Sequence, residues 1–486
     1  MLHSRVGEAK LFKQFGLFSL FSLFIILFGT GLCAESFKDF KQIQQSSIDN
    51  LKDKDDREFA KYLKKSFGAY MSSAPKKMYA DAKPLYIDKA MATNINAAGP
   101  VMKILVDDKR YKTLQKKQKA SEKTINKNIS FEFFGSKIDI DLPPGIKRAK
   151  YYPQNQQGLN NFFSVVASSE YENLLEDILK IKDTMVLNDW GLYLLIDKIS
   201  KSVFTNDDDS KLLKWFLFVK LGYKAKVGLS YRHIVILYNI KQTLYNAPNY
   251  KFGDDTYYTL SNNSQINKRV YSYVKDYPLS KKSFDFSLKK LPLLESDTQE
   301  KELKFSHYGR EYAIKYRYNK NIINYLSRYP QVECEVFFNA PLQDESFYDI
   351  AKGMKKYIDG MQASEAINFV LHFVQKAFVY EVDSKQFGYQ KTMFAQETLY
   401  FDKSDCEDRA VLFAYLVKKL FNFGIIGVKY KDHISTALYI PIKGDSIKAY
   451  SKKYIIADPS YIDANVGVSI PRYKGLKPQK FIKVEI

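Results

Sequence analysis

Three side chains that together could carry out acyl transfer occur within residues 404–461. Cys406 lies in the run Ser-Asp-Cys-Glu-Asp-Arg-Ala, His433 in Asp-His-Ile-Ser-Thr-Ala, and Asp458 in Ala-Asp-Pro-Ser-Tyr. A thiolate can attack an amide carbonyl, an imidazole can carry protons, and a carboxylate can hold the imidazole in the required tautomer. The stretch therefore offers the parts of a cysteine–histidine–aspartate relay.

The residues that follow Cys406 predict a helix with the thiol in its first turn. Ser404 and Asp405 are good N-cap residues. The free amides and the positive dipole end of such a helix favour a thiolate, and they would lower the pKa of the cysteine from its usual ~8.5. The same amides could stabilise an oxyanion. Apolar residues recur at helical spacing, at Ala410, Phe413, Ala414, Val417 and Leu420.

The histidine and the aspartate lie at the ends of two predicted strands. Residues 433–440 and 453–458 are rich in Ile, Tyr and Thr, and Gly444-Asp445-Ser446 between them is a turn signal. If the two strands pair antiparallel about that turn without a bulge, His433 lies directly opposite Asp458. This register predicts that the base and its orienting carboxylate are neighbours.

The motifs around these residues, Asp-Cys-Glu-Asp-Arg-Ala, then a histidine, then Asp-Pro-Ser, resemble those of the transglutaminase-like cysteine-enzyme superfamily. The resemblance covers residues 350–475 and implies a papain-like α+β core, with the cysteine helix packed on an antiparallel sheet. It implies Cys406 as the nucleophile, His433 as the general base and then acid, and Asp458 as the orienter. Asp405 and Asp408 also fit the pattern, and we interpret them as structural.

The resemblance implies no metal or organic cofactor, and no second Cys or His stands nearby at metal-ligand spacing. Two glutamines upstream of the cysteine, Gln386 and Gln390, are candidates for a side-chain donor to the oxyanion, and the sequence does not choose between them. Hydrolysis of a peptide or isopeptide amide is the preferred outcome, with transfer to an amine as a second. A non-catalytic envelope scaffold that binds protein or glycan is the alternative.

The N-terminal segment has the composition of an export signal. The first 14 residues are basic, residues 15–32 form a weakly polar, largely apolar run, and Ala34 offers a cleavage point. A run of about 18 apolar residues could also stay uncleaved as a membrane anchor. We expect a periplasmic, cell-envelope or secreted protein, attached to a membrane only in the uncleaved case.

The overall charge and the cysteine content exclude some classes of protein. The chain has 486 residues and a net charge of +21, but no basic stripe is concentrated in one place, so with export we expect a protein or peptide substrate and no nucleic acid. Three cysteines do not make a disulfide framework. A bridge between Cys334 and Cys406 is formally possible and would silence the nucleophile, whereas the strand-like run at 332–336 suggests a structural thiol.

A second stretch of the chain repeats the pattern around the cysteine. Its helix ends at Leu221, as the cysteine helix ends at Leu420, and in both cases two strands follow. Aligned on these leucines, Asp207 takes the place of Cys406, Ser261 falls near Asp458, and His233 is retained one position off. We predict a degenerate copy without a nucleophile.

The sequence thus predicts an α+β protein of five segments. They are a signal peptide (1–34), a helical stalk and linker (35–128), a degenerate transglutaminase-like domain (129–265), a small β segment (266–345) and a transglutaminase-like catalytic domain (346–486). Within these segments, the spacing of apolar residues predicts a helical face over 59–70, a strand pair at 129–142, helices around 160–182 and 190–199, strands at 312–318 and 332–338, and helical residues over 347–379 that pack under the cysteine helix.

Overall fold

The protein is described by a computed structural model that covers residues 51, 53–78, 89–90, 97–106, 128–260 and 268–486. The predicted signal segment, its cleavage point after Ala34, and Ser261 lie outside these ranges. The described residues form a mixed α+β structure with antiparallel sheets, which confirms the predicted α+β class. Within these ranges we find no helix whose length and hydropathy would allow it to cross a bilayer.

The chain divides into two compact units, and the smaller one combines residues up to 65 with residues 144–170. Its helices are α1 (Lys54–Leu63), capped by Asp53, and α2 (Gln156–Ala167), capped by Asn155. The two helices pack through the rings of Phe59 and Phe163, whose centroids lie 5.4 Å apart. An edge-to-face aromatic pair of this kind closes a small helical core.

The larger unit, residues 66–143 and 171–486, begins with strand β1 (Gly68–Met71). The sequence predicted a helical face that continues through Tyr70, and this is wrong, because helix α1 ends at Leu63 and residues 68–71 are extended and pair with another strand. The predicted strand pair at 129–142 is confirmed as β2 (Ile129–Phe133) and β3 (Ser136–Ile140). The predicted helices that follow are also confirmed, as α3 (Glu172–Thr184) and α4 (Asp189–Val203).

A long helix and a six-stranded antiparallel sheet form the first half of this unit. The order of the strands in the sheet is β1-β8-β4-β5-β7-β6. Helix α5 packs against strands β4 and β5. The bounds of the elements are α5 (Asp207–Lys220), β4 (Ala225–Ser230), β5 (His233–Asn239), β6 (Asn249–Phe252), β7 (Asp255–Tyr258) and β8 (Arg269–Ser272).

A two-stranded hairpin, β9 (Thr298–His307) and β10 (Arg310–Asn319), joins the halves of the unit. It confirms the strand predicted at 312–318. The strand predicted at 332–338 is wrong, because this segment contains helix α7 (Cys334–Phe338) after α6 (Lys320–Leu326). Three consecutive side chains of α7 are buried, which an alternating strand does not allow; they are Val336, Phe337 and Phe338.

The second half of the unit places a long helix, α12 (Cys406–Phe421), against a five-stranded sheet of order β15-β16-β14-β13-β17. Helix α9 packs against α12, as the sequence predicted. The other elements are α8 (Asp344–Ile358), α9 (Ala363–Lys376), β11 (Val379–Tyr380), α10 (Asp383–Gln386), α11 (Ala395–Tyr400), β12 (Lys403–Ser404), β13 (Gly424–Lys429), β14 (Ile434–Tyr439), β15 (Ser446–Ala449), β16 (Lys452–Ala457) and β17 (Lys480–Lys483).

The two halves of the larger unit share one topology. Read from the same edge, the strands of the first sheet run β6-β7-β5-β4-β8-β1 and those of the second run β15-β16-β14-β13-β17, so the orders agree over five strands and β1 is an additional strand of the first sheet. In each half, the long helix packs on the two strands that directly follow it in the chain. Each half also has a hairpin, one strand of which packs on a helix that comes before the long helix in the chain: β2 packs on α4, and β9 packs on α9. This correspondence supports the predicted internal repeat.

Candidate active site

The structure places Cys406 as the first residue of helix α12, as the sequence predicted. Asp405 is the N-cap residue and forms a reciprocal capping box with Asp408: its side chain accepts from the Asp408 backbone, and its own N–H donates to Asp408 Oδ2 at 3.2 Å. Two orphan amides at the helix start are thereby satisfied. The structural role predicted for the two aspartates is confirmed by these bonds.

A fully buried arginine fixes the start of this helix to the end of α9. Arg409 donates from Nη2 to the carbonyl oxygen of Phe378 at 2.7 Å, from Nη1 to that of Gln375 at 3.1 Å, and from Nε to Ser404 Oγ at 3.1 Å. Three hydrogen bonds to a planar, permanently charged group leave little freedom of orientation. The hydrogen bonds of Arg409 therefore fix the start of α12 and, with it, the position of Cys406.

The predicted pair of His433 and Asp458 is present and buried. His433 Nε2 lies 2.8 Å from Asp458 Oδ2, and Asp458 Oδ1 accepts from the backbone N–H and the hydroxyl of Ser460 at 3.0 and 2.7 Å. Burial acts to raise the pKa of Asp458, but the charge of His433 and these hydrogen bonds outweigh it and hold the pKa below its ordinary value. The carboxylate stays ionised and fixes the imidazole through Nε2.

The strand register that brings these two residues together is not the predicted one. Strands β14 and β16 pair antiparallel, but Thr436 faces Ala457, two residues away from the register that would set His433 opposite Asp458. The predicted turn at Gly444 leads instead into β15, and the tight turn before β16 is formed by Tyr450 and Ser451. His433 reaches its partner from just before the start of its strand.

The thiol contacts the backbone of the residue next to the histidine, and no hydrogen bond joins it to the imidazole. Nδ1 of His433 is buried and has no hydrogen-bond partner among the described residues. The sulfur of Cys406 receives a hydrogen bond from the backbone of Ile434, the residue after the histidine. The thiol itself donates to Glu407 Oε2 at 3.1 Å. Nδ1 is the imidazole atom left open for proton transfer.

The expected lowering of the Cys406 pKa is wrong for this arrangement. The side chain is only 6% exposed. Burial, followed by the negative charges of Glu407 and Asp405, raises the pKa of the thiol well above its ordinary value, against the smaller effect of the Ile434 N–H. Desolvation disfavours the thiolate more strongly than the helix dipole stabilises it.

A group of buried carboxyls lies beneath the cysteine. One oxygen each from Asp383, Asp405 and Asp408 lies within 4.8 Å of the others. Burial, and secondly the charge of Glu407, raises the pKa of Asp383 to about 9 and that of Asp408 to about 7, and holds that of Asp405 well above its ordinary range. Oxygen donors of this kind are the ligands that Ca²⁺ and Mg²⁺ prefer, so these residues could hold a hard cation.

Neither predicted glutamine contacts the sulfur. Gln390 Nε2 donates to Asp383 Oδ2 at 3.2 Å and to Glu407 Oε1 at 3.4 Å, so it acts on Cys406 only through Glu407. Gln386 Nε2 donates to the backbone of Lys403 at 3.3 Å. Neither side chain is placed to bind an oxyanion in this arrangement.

An aromatic residue that the sequence did not single out covers the histidine. The ring of Tyr473 stacks on His433 with centroids 4.7 Å apart and an interplanar angle of 21°. Its hydroxyl donates to Asp432 Oδ1 at 3.0 Å, and Arg472 Nη2 donates to Asp432 Oδ2, also at 3.0 Å. Of Asp432, Arg472 and Tyr473, only Asp432 lies in the sequence motif around His433.

The first copy carries a carboxylate where the second carries the thiol. The backbone N–H of Ile234 donates to Asp208 Oδ1 at 2.9 Å, which matches the contact of Ile434 with Cys406, and His233 Nδ1 lies 3.2 Å from Asp208 Oδ2. Asp207 is the first residue of α5 after the N-cap Asn206, as Cys406 is the first residue of α12 after the N-cap Asp405, so the helix starts agree with the predicted alignment. The contact with the strand is made by the next residue, Asp208. Because a carboxylate and not a thiol makes this contact, the first half has no cysteine nucleophile at this place.

The formally possible disulfide is not formed. Cys334 and Cys406 are both free and buried. Cys334 lies on helix α7, where burial raises the pKa of its thiol to about 11. It is a structural side chain and a convenient internal reference for the chemistry of Cys406.

Comparison with known proteins finds no match, whether to a family model, to a curated protein or to a solved structure. The resemblance to transglutaminase-like enzymes therefore rests on the residues around Cys406, His433 and Asp458. The class established by the structure is α+β with antiparallel sheets.

Glu407→Gln is expected to make Cys406 more reactive. In the wild type, the Glu407 carboxylate accepts a hydrogen bond from the thiol and raises the pKa of Cys406. Without this carboxylate, alkylation of Cys406 at pH 7 should be at least about fivefold faster. The rate is measured by mass spectrometry with Cys334 as the internal reference. Glu311→Gln, an exposed acid on β10, is the matched control. An unchanged Cys406 rate would contradict the assigned role of Glu407.

Proposed function

We propose that this protein is an exported cysteine enzyme of the transglutaminase-like type, with a papain-like core, that transfers an acyl group from a peptide or isopeptide amide. Cys406 is the nucleophile, His433 the proton carrier and Asp458 the group that orients it. Hydrolysis is the preferred reaction, because bacterial members of the superfamily that the motifs resemble often look proteolytic. No nucleic acid is a partner.

The reaction proceeds through a thioester. Nδ1 of His433 takes the proton of the Cys406 thiol while the sulfur attacks the amide carbonyl, and the negative charge develops on the carbonyl oxygen. The C–N bond then breaks as the same proton passes from Nδ1 to the leaving amine. Water, deprotonated by His433, attacks the thioester, releases the acid and restores the thiol; an amine in place of water gives transamidation.

One observation carries this proposal: the imidazole is bound to Asp458 through Nε2 and keeps Nδ1 open beside the cysteine helix. Because Nε2 is held by the carboxylate, Nδ1 is the imidazole nitrogen that can accept a proton. The mechanism requires the Cys406 thiol to turn from Glu407 to Nδ1, and a bound substrate that displaces this contact would achieve it.

The test is cleavage of a quenched fluorescent peptide library by the wild type, Cys406→Ala and His433→Ala, with and without a biotinylated primary amine. We expect turnover by the wild type and a loss of about 10³-fold or more in either variant. Incorporation of biotin would identify transamidation. The proposal fails if no substrate turns over and if, in addition, Cys406 and Cys334 alkylate with parallel pH profiles that His433→Ala leaves unchanged.

A second candidate function is a non-catalytic envelope scaffold that binds protein or glycan. The buried, protonated Cys406 with its hydrogen bond to Glu407 favours it. In that case the Cys406→Ala variant should retain the binding of whatever partner the wild type captures, with no covalent adduct on Cys406. Trapping of a thioester on Cys406 would exclude this candidate.

A further inference from the structure

A cationic side chain stands at the histidine, on the turn Pro471–Tyr473. Arg472 is bonded to Asp432, the residue directly before His433. The carbon at the centre of its guanidinium lies 4.7 Å from the ring centroid of Tyr473, and that ring stacks on His433 at 4.7 Å. Two independent contacts therefore hold the cation at the proposed proton carrier.

The guanidinium keeps unused hydrogen-bond donors. Its hydrogen bonds to described residues, to Asp432 and to the Tyr473 hydroxyl, both use Nη2, which leaves Nε and Nη1 without a partner among them. The side chain is 49% exposed. Nε and Nη1 point to different sides of the planar guanidinium, so each can donate a separate hydrogen bond to an oxygen of an incoming anion.

Charge is distributed unequally about the sulfur. Glu407 lies on the helix side of Cys406. On the histidine side, the backbone of Ile434 contacts the sulfur, and Arg472 is bonded to Asp432, two residues before Ile434. Burial acts to lower the pKa of Arg472, but the polar and anionic groups around it, Cys406 among them, raise it overall. Arg472 is thus a permanent cation within electrostatic range of the sulfur, and an anionic substrate group is attracted to this side and repelled from the other.

We propose that Arg472 is a specificity-determining residue that binds a carboxylate of the substrate, close to the amide that Cys406 attacks. This inference rests on the proposed function. The carboxylate is either the α-carboxylate of a chain end or the side chain of an acidic residue, since both offer the same pair of oxygens to a guanidinium. The preferred substrate is therefore an acidic peptide.

The test uses two alkylating reagents that differ in charge. Iodoacetate carries a carboxylate and iodoacetamide does not, and both form the same thioether bond with the cysteine sulfur and release iodide. The ratio of their rates at Cys406 is measured in the wild type, Arg472→Gln and Arg472→Lys. We expect the iodoacetate-to-iodoacetamide ratio to fall about three- to tenfold in Arg472→Gln and to fall less in Arg472→Lys, which keeps the charge but not the Nε and Nη1 donors.

Equal ratios in the wild type and Arg472→Gln would overturn the proposal. A change in the thiol pKa cannot mimic the effect, because it alters both rates in parallel. Lys251→Gln, an exposed residue on β6 of the first repeat, makes the same change in net charge and should leave the ratio unchanged. Cys334 in each protein reports loss of folding, since its labelling by both reagents would then rise.

This experiment separates the inference from the proposed function, because alkylation at alkaline pH needs no catalysis. If the iodoacetate-to-iodoacetamide ratio changes as expected but no peptide is turned over, the carboxylate site is retained and the proposed enzymatic activity is rejected. The source of the carboxylate is then decided by calorimetry with Cys406→Ala. A peptide with a free C terminus that binds more tightly than its amide assigns a chain end, and a C-terminally amidated peptide with an internal Glu that binds more tightly than its Gln analogue assigns a side chain.

Discussion

The free energy of unfolding is expected to fall as the pH rises from about 5 to about 8.5. In the folded protein the pKa of Asp383 is raised to about 9 and that of Asp408 to about 7, whereas both groups titrate near ~3.9 in the unfolded chain. Between these values the folded state holds protons that the unfolded state has released, so stability decreases with pH. The expected slope is roughly 1.4 kcal/mol per pH unit for each retained proton.

Urea denaturation at pH 5, 6, 7 and 8.5, with a chelator present so that no cation replaces the protons, measures this slope. Asp408→Asn should flatten it below pH 7, and Asp383→Asn should flatten it up to the most alkaline point. Asp402→Asn, a carboxylate that is 87% exposed, is the control and should leave it unchanged. A wild-type stability that is constant or rises over this range would show that the group is ionised when folded.

Asp458→Ala is expected to combine a large loss of stability with a loss of activity. The substitution leaves His433 Nε2 buried without its partner and removes the acceptor of two hydrogen bonds from Ser460. A buried hydrogen-bonding group that loses its partner costs about 1–3 kcal/mol, and three donor groups lose their acceptor here. Without the carboxylate the imidazole also loses its orientation, and turnover should fall by about 10³–10⁴-fold.

Two further substitutions separate these effects. Asp458→Asn keeps a side chain of the same shape, so it should cost less stability than the alanine variant while losing a similar share of activity. Asp432→Ala removes a partly exposed carboxylate one residue from the histidine and should cost less than about 1 kcal/mol. Equal stability losses for Asp458→Ala and Asp432→Ala would contradict the buried pair.

The parts of the fold that the sequence predicted are those with a strong local signal. Helix α12 was predicted because its apolar residues follow helical spacing and a good N-cap precedes Cys406. Helix α7 was missed because Val332 to Val336 alternate with charged residues, and only tertiary burial of Phe337 and Phe338 makes the segment helical. The register of β14 and β16 was missed because the segment between them contains β15 and a turn from β15 into β16. Tyr450 and Ser451 form that turn with positive φ, a conformation usually signalled by Asn or Gly.

The sequence was sufficient to predict which residues form the candidate site, but not how deeply they are buried or how their pKa values are shifted. Cys406, His433 and Asp458 were found by type and order, and the structure joins His433 to Asp458 by a hydrogen bond. The pKa of Cys406 was predicted with the wrong sign, because desolvation depends on neighbours that are distant in sequence. Ile434, whose backbone contacts the sulfur, is one such neighbour.

The shared topology of the two repeats has a consequence for folding. Because the strand orders match, a strand of one half could take the place of its counterpart in the sheet of the other half while the chain folds. Lys226 on β4 pairs with Leu237 in the same register in which Ile426 pairs with Ala437. In its own half the buried ammonium of Lys226 forms an ion pair with Asp276 and lies 5.3 Å from each of three aromatic rings.

A β4 strand placed in the second sheet would leave that ammonium without Asp276, and an unpaired buried charge costs several kcal/mol. The divergence between Lys226 and Ile426 thus gives each strand a preferred sheet. A Lys226→Ile variant should refold with a larger fraction of strand-swapped dimers and misassembled monomers. The charge that separates the two halves in the native protein would then prove to be a device for correct assembly along the folding pathway.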